Sequence, residues 1–349
     1  MKGFKTIGMI LFMLFGSLML DSFVGIASEF NFAVTPLPSE HQIDKEKTYF
    51  DLLLAPSQTT ELKATLRNDT EKEVKVDVSV NNATTNSNVI VEYGENALNK
   101  DKSLAYDLKE HVHYPESVVL KPKSEQTVPF KVDMPNKSFD GVIAGGITFK
   151  EEQATEEKTT KSTQGLSIEN DYSYVVALLM RQNQKKVVPN LVLHEVKPSQ
   201  INARNVILAD LQNDQKTYIN QVALSAKVTK KGSDKVLYQE EKENLQIAPN
   251  SSFSLPVSLK KQALKPEVYH MSLSVSGNKD GSDSPKFENH WTFERDFRID
   301  GDTAKKLNEK DVTLKPDYTW LYILIGFLLL LISVLIILFI RRKKQADTE

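Results

Sequence analysis

The side chains that could do chemistry are thinly spread. His111 and His113 are the only close histidine pair, with Glu110 beside them. On a strand, residues two apart share a face, so the pair could ligate a metal. No third ligand is evident, and a solvated strand edge accounts for the same pattern. The carboxylate pairs Glu151-Glu152 and Glu240-Glu241 stand in charged stretches and read as solvated. There is no HExxH, no nucleophile elbow and no metal-thiolate pattern. The chain is therefore read as not an enzyme, with no metal and no cofactor.

A second feature is conformational. "FDGVIAGGITFKE" (139–151) places Gly141, Gly145 and Gly146 in one strand-like run, in a chain with 14 glycines among 349 residues. Glycine weakens a strand interior, because it loses the most backbone entropy and brings no side chain to pack. No helix or Gly-Lys-Ser/Thr follows, which excludes a phosphate loop. Alternation puts Ile143, Gly145, Ile147 and Phe149 on the core face, and Val142, Ala144, Gly146 and Thr148 on the outer face. Either an aromatic such as Tyr172 or Tyr174 lies over the glycine gap, or the strand bulges, or another molecule approaches the backbone. The third reading makes Val142, Ala144, Gly145, Gly146 and Thr148 a partner-facing strand.

The elements around it are β throughout. Val74, Val76, Val78 and Val80 alternate with polar residues, as do Leu62, Ala64 and Leu66, and Val128, Phe130 and Val132. Period-two runs bounded by Asn, Asp, Pro and Lys are half-buried strands. "LRNDTEKEVKVDVSV" from Leu66 aligns with "LQNDQKTYINQVALSAKV" from Leu211. Pro122 and Pro249, Ser124 and Ser251, and Pro129 and Pro256 repeat at one offset. The expected fold class is an all-β ectodomain of two tandem immunoglobulin-like β-sandwiches. The first copy carries an insertion near 82–114. Its polar stretch 151–165 is a hairpin tip between Gly141–Lys150 and Tyr172–Gln182, or else the interdomain linker. Trp291, Phe293, Phe297 and Ile299 share one strand face, which reads as core, with Arg295 marking an edge.

The ends set the compartment. Lys2 and Lys5 precede an apolar run and the small residues Gly25-Ile26-Ala27, a secretory signal order. Trp320 to Ile340 is uncharged, opens with aromatics, and is followed by Arg341, Arg342, Lys343 and Lys344. Such a segment spans a bilayer with its basic end cytoplasmic. The expected layout is signal peptide 1–28, first sandwich 29–187, second sandwich 188–300, juxtamembrane linker 301–318, transmembrane helix 319–340 and cytoplasmic tail 341–349. The absence of cysteine favours a bacterial surface over a disulfide-rich eukaryotic one. A net charge of −2 gives no reason to expect nucleic acid. No LPxTG-type sorting signal occurs, so retention rests on the spanning helix.

The sequence resembles the WxL-interacting proteins of low-GC Gram-positive bacteria along its whole length. The resembling stretches are "FNFAVTPLPSEHQ", "YFDLLLAPSQTTELKATLRNDT", "FDGV" with "AGGITF", and "YSYVVALLMR". The resemblance implies a peptidoglycan-binding first domain, a host-binding second domain and a secreted WxL-domain protein as partner. The function it implies is a membrane-anchored scaffold that contacts peptidoglycan and holds WxL-domain proteins at the cell wall. The alternative is an adhesin that binds a host matrix protein through domain two.

Overall fold

The computed structural model describes residues 31–152, 172–282, 286–314 and 319–346; in the last helix the described side chains are those of 320–336. The expected signal peptide and most of the polar stretch 151–165 lie outside the described residues.

The first half holds β1 (Phe32–Leu37), β2 (Phe50–Leu53), β3 (Thr59–Asn68), β4 (Val74–Asn82), β5 (Thr84–Thr85), β6 (Val91–Glu92), β7 (Val112–His113), β8 (Ser117–Leu120), β9 (Ser124–Asp133), β10 (Ile143–Glu151) and β11 (Ser173–Arg181). A four-stranded sheet, β1-β3-β9-β7, faces a five-stranded one, β2-β11-β10-β4-β8. One apolar cluster fills the space between them, including Leu62, Phe130, Val80, Ile147, Phe149 and Leu178. Alternation builds it: β3 and β4 each bury every second residue. Strands β10 and β11 pair antiparallel from Ile143↔Met180 to Lys150↔Ser173. The polar stretch therefore lies between two paired strands of one sheet.

The second half holds β12 (Leu191–Ile201), β13 (Arg204–Asn213), β14 (Ile219–Lys230), β15 (Val236–Ile247), β16 (Ser251–Ser258), β17 (Glu267–Lys279) and β18 (Phe287–Ile299). Sheet β12-β13-β16 packs on sheet β15-β14-β17-β18 around a second apolar cluster. Phe297 and Ile299 are buried in it, and Trp291 and Phe293 pack against it from β18. Arg295 sits on that edge strand, where its guanidinium donates to the Leu193 carbonyl on the other sheet (3.3 Å).

The two halves share a turn device. Asn68 and Asn213 are fully buried at the ends of β3 and β13. The Asn68 amide donates to the carbonyls of Lys72 (2.7 Å) and Lys121 (3.0 Å), and its oxygen accepts from Thr70 N–H (2.8 Å). Asn213 donates to Thr217 (2.7 Å) and Ala248 (2.9 Å) and accepts from Gln215 N–H (3.2 Å). Each asparagine thus ties its own turn to the loop before the proline-bearing strand. Lys123 and Asn250, at matching positions in those loops, both take left-handed backbone (φ 52° and 45°). Asn213→Ala strands two carbonyls from water and should lower stability by about 2 kcal/mol. Urea unfolding of the full chain in detergent measures this; a loss below about 0.5 kcal/mol, the range of an ordinary surface change, would refute the cross-tie.

Residues 301–318, expected as linker, are corrected in their first part. Gly301–Lys310 form helix α1, capped by Asp300, whose carboxylate accepts from Thr303 N–H (2.8 Å). Ala304 is buried and Leu307 packs on the second core. Asn308 exchanges hydrogen bonds with the backbone of Leu264 (both 2.9 Å), and the Asp311 carboxylate accepts from Asn205 N–H (2.8 Å). The second body therefore runs past Ile299. Helix α2 covers Thr319–Ala346. The described side chains of α2 end at residue 336, and among the described residues no helix is long and apolar enough to cross a membrane.

Candidate functional site

Strand β10 lies where the two bodies meet. Its core face is as alternation demands, with Ile143, Ile147 and Phe149 in the first core. Its outer face is not open. Val142, Ala144 and Thr148 are 2%, 6% and 7% exposed, and Gly145 and Gly146 are buried. The reading of Val142, Ala144, Gly145 and Gly146 as partner-facing is corrected, because the chain covers them itself; Thr148, the fifth residue of that reading, lines a cavity. Val142 and Ala144 join Ala83, Leu179 and Ala248 in a third apolar cluster, ringed by Tyr49, Val91, Tyr93 and Tyr218.

Each glycine answers to a neighbour. Gly141 has left-handed backbone (φ 93°), and a side chain there would strike the Lys216 carbonyl of the second body. That carbonyl accepts from Val142 N–H (2.8 Å). At Gly145 a Cβ would collide with the Asn81 carbonyl and with Leu108, which fills the core side of the gap. At Gly146 a Cβ would come within 2.8 Å of Tyr93. What lies over Gly146 is thus the Cβ and carbonyl of Tyr93, from the insertion, and neither Tyr172 nor Tyr174.

The insertion is an arm reaching from the first body to the second. Asn86 shapes its tip: its carbonyl accepts from Val89 N–H (2.9 Å), and its side-chain oxygen accepts from Asn88 and Ile90 N–H (2.9 and 3.1 Å). This turns Val89 into left-handed backbone (φ 62°), an unusual state for a β-branched residue. Val89 is fully buried, and it is buried in the second body's core. Thr85 sits among buried partners, accepting at Oγ1 from Ala248 N–H and Ser251 Oγ (both 2.9 Å). Further along, the Asp101 carboxylate accepts from Gln212 Nε2 (2.8 Å) and Ser252 Oγ. Burial alone would raise the Asp101 pKa, but hydrogen bonds from Ser103, Ser252 and Gln212 hold it below the usual carboxylate range. Tyr93 and Tyr218 meet hydroxyl to hydroxyl at 3.2 Å. Burial pushes both phenols up, Tyr218 well above the ordinary range, so the pair is neutral at physiological pH.

The other flagged side chains are dispersed. His111 Nδ1 lies 3.0 Å from the Asp133 carbonyl, and His113 Nε2 lies 2.9 Å from the Asp133 carboxylate. Among the described residues no cluster of His, Cys, Asp and Glu could hold a metal ion. Glu151 accepts from Asn31 (2.9 Å), and Glu152 pairs with Lys75 (2.8 Å). Residue-by-residue reading missed Val89, Thr85, Asp101 and Tyr93. The signal available was the insertion itself, whose apolar "VIV" (89–91) has no place in a solvated loop.

Comparison with known proteins completes the picture. Residues 32–151 match the family model "WxL Interacting Protein, peptidoglycan binding domain", and residues 163–309 match "WxL Interacting Protein, host binding domain". The second match takes in β11, although β11 pairs within the first body. No curated protein matches the chain. Among solved structures, a chaperone–tip adhesin complex of CFA/I fimbriae is 12% identical, with 76% of this chain and 99% of that chain covered and a TM-score of 0.30. The class 5 fimbriae chaperone CfaA is 12% identical, with 76% and 99% covered and a TM-score of 0.29. The E. coli chaperone DraB is 12% identical, with 76% and 98% covered and a TM-score of 0.28. At these scores the likeness carries no argument. The two family models together span both bodies, and the chain belongs to the WxL-interacting protein family.

Proposed function

We propose that the protein is a membrane-anchored scaffold of the Gram-positive surface, which contacts peptidoglycan through its first body and holds a secreted WxL-domain protein at the wall. The observation that carries this is the pair of binding-domain matches on two bodies joined by a buried arm. A scaffold that grips the wall with one body and a partner with the other needs a stiff joint. Both sandwiches are read as immunoglobulin-like, with the first ending near residue 187. Helix α2 supports the anchor: it is uncharged from Trp320 to Ile340, and Ile323, Phe327 and Leu330 are 69%, 62% and 64% exposed. A helix that is apolar all round and uncovered by protein finds its surroundings in lipid. Arg341 to Lys344 would then face the cytoplasm.

The test is pull-down of the full chain in detergent with purified sacculi, with a secreted WxL domain, and with host matrix protein as the third arm. Retention of the chain by sacculi together with saturable capture of the WxL domain supports the scaffold. Capture of matrix protein alone would overturn it in favour of an adhesin working through the second body, as the description of that family model would have it.

A further inference from the structure

The arm covers the outer face of the five-stranded sheet only in part. Cross-strand register gives that face its rows: Asn81–Gly146–Ala177, then Ser79–Thr148–Val175, then Asp77–Lys150–Ser173. Tyr93 seals the first row, where Gly146 leaves it room. Gly94 lies against Thr148 and Val175 at the edge of the second row, and from there the third row forms the floor of a groove walled by Gly94 and Glu95. A cavity of about 600 Å³ lies in this groove, and one of about 540 Å³ adjoins it across Gly94 and Glu95, reaching Thr48 and Tyr49. Volumes of this size suit a small ligand.

Two independent features point to an occupant. The first is Thr148. It is 7% exposed, it lines the groove, and its hydroxyl has no hydrogen-bond partner among the described residues. A buried polar group left unpaired is costly, and a ligand that reaches it removes that cost. The second is charge. Asp77, Glu92, Glu95, Glu151 and Glu152 line the two cavities, against Lys150 and against Lys75, which pairs with Glu152 (2.8 Å), so carboxylates remain in excess. A neutral glycan gains nothing from that excess, and an anionic wall polymer is repelled by it. A cationic ligand is attracted.

We propose that this groove binds an extended peptide carrying a free ammonium, with the Thr148 hydroxyl bonded to the peptide backbone and the acidic wall of Asp77 and Glu95 facing the ammonium. The proposal rests on the reading that the first body binds peptidoglycan, and it names the diamino-acid stem peptide, not the glycan strand, as what is recognised here.

The experiment measures binding of a synthetic N-acetyl-Ala-D-isoglutamine-Lys-D-Ala peptide, whose one ammonium is the lysine side chain, to the full chain in detergent by calorimetry, beside sacculus pull-down. The free-amine peptide should bind, and acetylating its side-chain amine should weaken it about tenfold. Thr148→Val removes an unpartnered hydroxyl at constant volume. It should raise the melting temperature, since it relieves the cost of the unpaired group, and weaken the peptide several-fold. Glu95→Gln should also weaken it, and added salt should do the same to the wild type. If sacculi bind but the peptide does not, or if both variants bind it as the wild type does, the groove is not the site and the peptidoglycan reading stands. If neither sacculi nor peptide binds, both fall. A further variant replaces 153–171 by a short Gly-Ser turn. Peptide binding that appears only in this variant would make the groove the seat of that segment and overturn the proposal.

Discussion

Gly145→Ala should destabilise the full chain by about 3 kcal/mol or more, the upper end of the cost of overpacking a core. One methyl group is a small change, and its surroundings make it large. The added carbon would overlap the Asn81 carbonyl on the paired strand β4 and the Leu108 methyl in the core. Leu108 is fully buried and could move only by leaving a hole. Asn81 could move only by breaking the β4–β10 ladder. Neither is the far end of a flexible side chain. The measurement is the urea midpoint of the full chain in detergent, beside Gly281→Ala. At Gly281 an added carbon meets nothing within 4 Å, and the midpoint should hold. Equal midpoints for the two variants would remove packing as the reason for the glycines.

Val89→Asp should undo the joint. Burying a carboxylate in an apolar core without a partner costs more than the arm's docking can supply. The arm can swing out, so the cost is capped near the free energy of docking. That includes about 1.5–3 kcal/mol for burying the valine, offset in part by the strain of its left-handed backbone. The expected result is separation of one cooperative unfolding transition into two, with new protease cuts between 84 and 107. Ile90→Asp is the control: Ile90 neighbours Val89 but is 53% exposed. A single unchanged transition in Val89→Asp would mean that the bodies are held without the arm. Loss of the WxL partner in this variant, with each body still folded, would show that the scaffold works through the joint.

Much of this architecture was legible in the sequence. Alternation on β10 separated Ile143, Ile147 and Phe149 from Val142, Ala144 and Thr148 correctly, because a strand's period is set by its backbone. The repeat located the paired turns, because each copy must close the same hairpin. What Asn68 and Asn213 do there was not legible, since their acceptors come from loops far along the chain. The occupant of the glycine face was missed for a related reason. Composition shows that a face is flat but not whether another molecule or a later segment covers it. Helix α1 was missed because its sequence is polar, with Ala304 and Leu307 as its packed residues. Its capping Asp300 was the available cue.

Strand β11 imposes an order on synthesis. Strand β2 finds its place in its sheet only beside β11, to which it runs parallel. A ribosome that has released residues 32–151 has therefore made a half-built sheet, with the flank of β10 still unpaired. Closure waits for residue 181. The arm waits longer, because Thr85 and Val89 have no seat until β15 and β16 have emerged at residue 258. A nascent chain thus passes through two exposed intermediates, each with a defined end point. Stalling synthesis just before residue 181 should yield the more aggregation-prone of them, since it leaves a long apolar strand edge open to other chains.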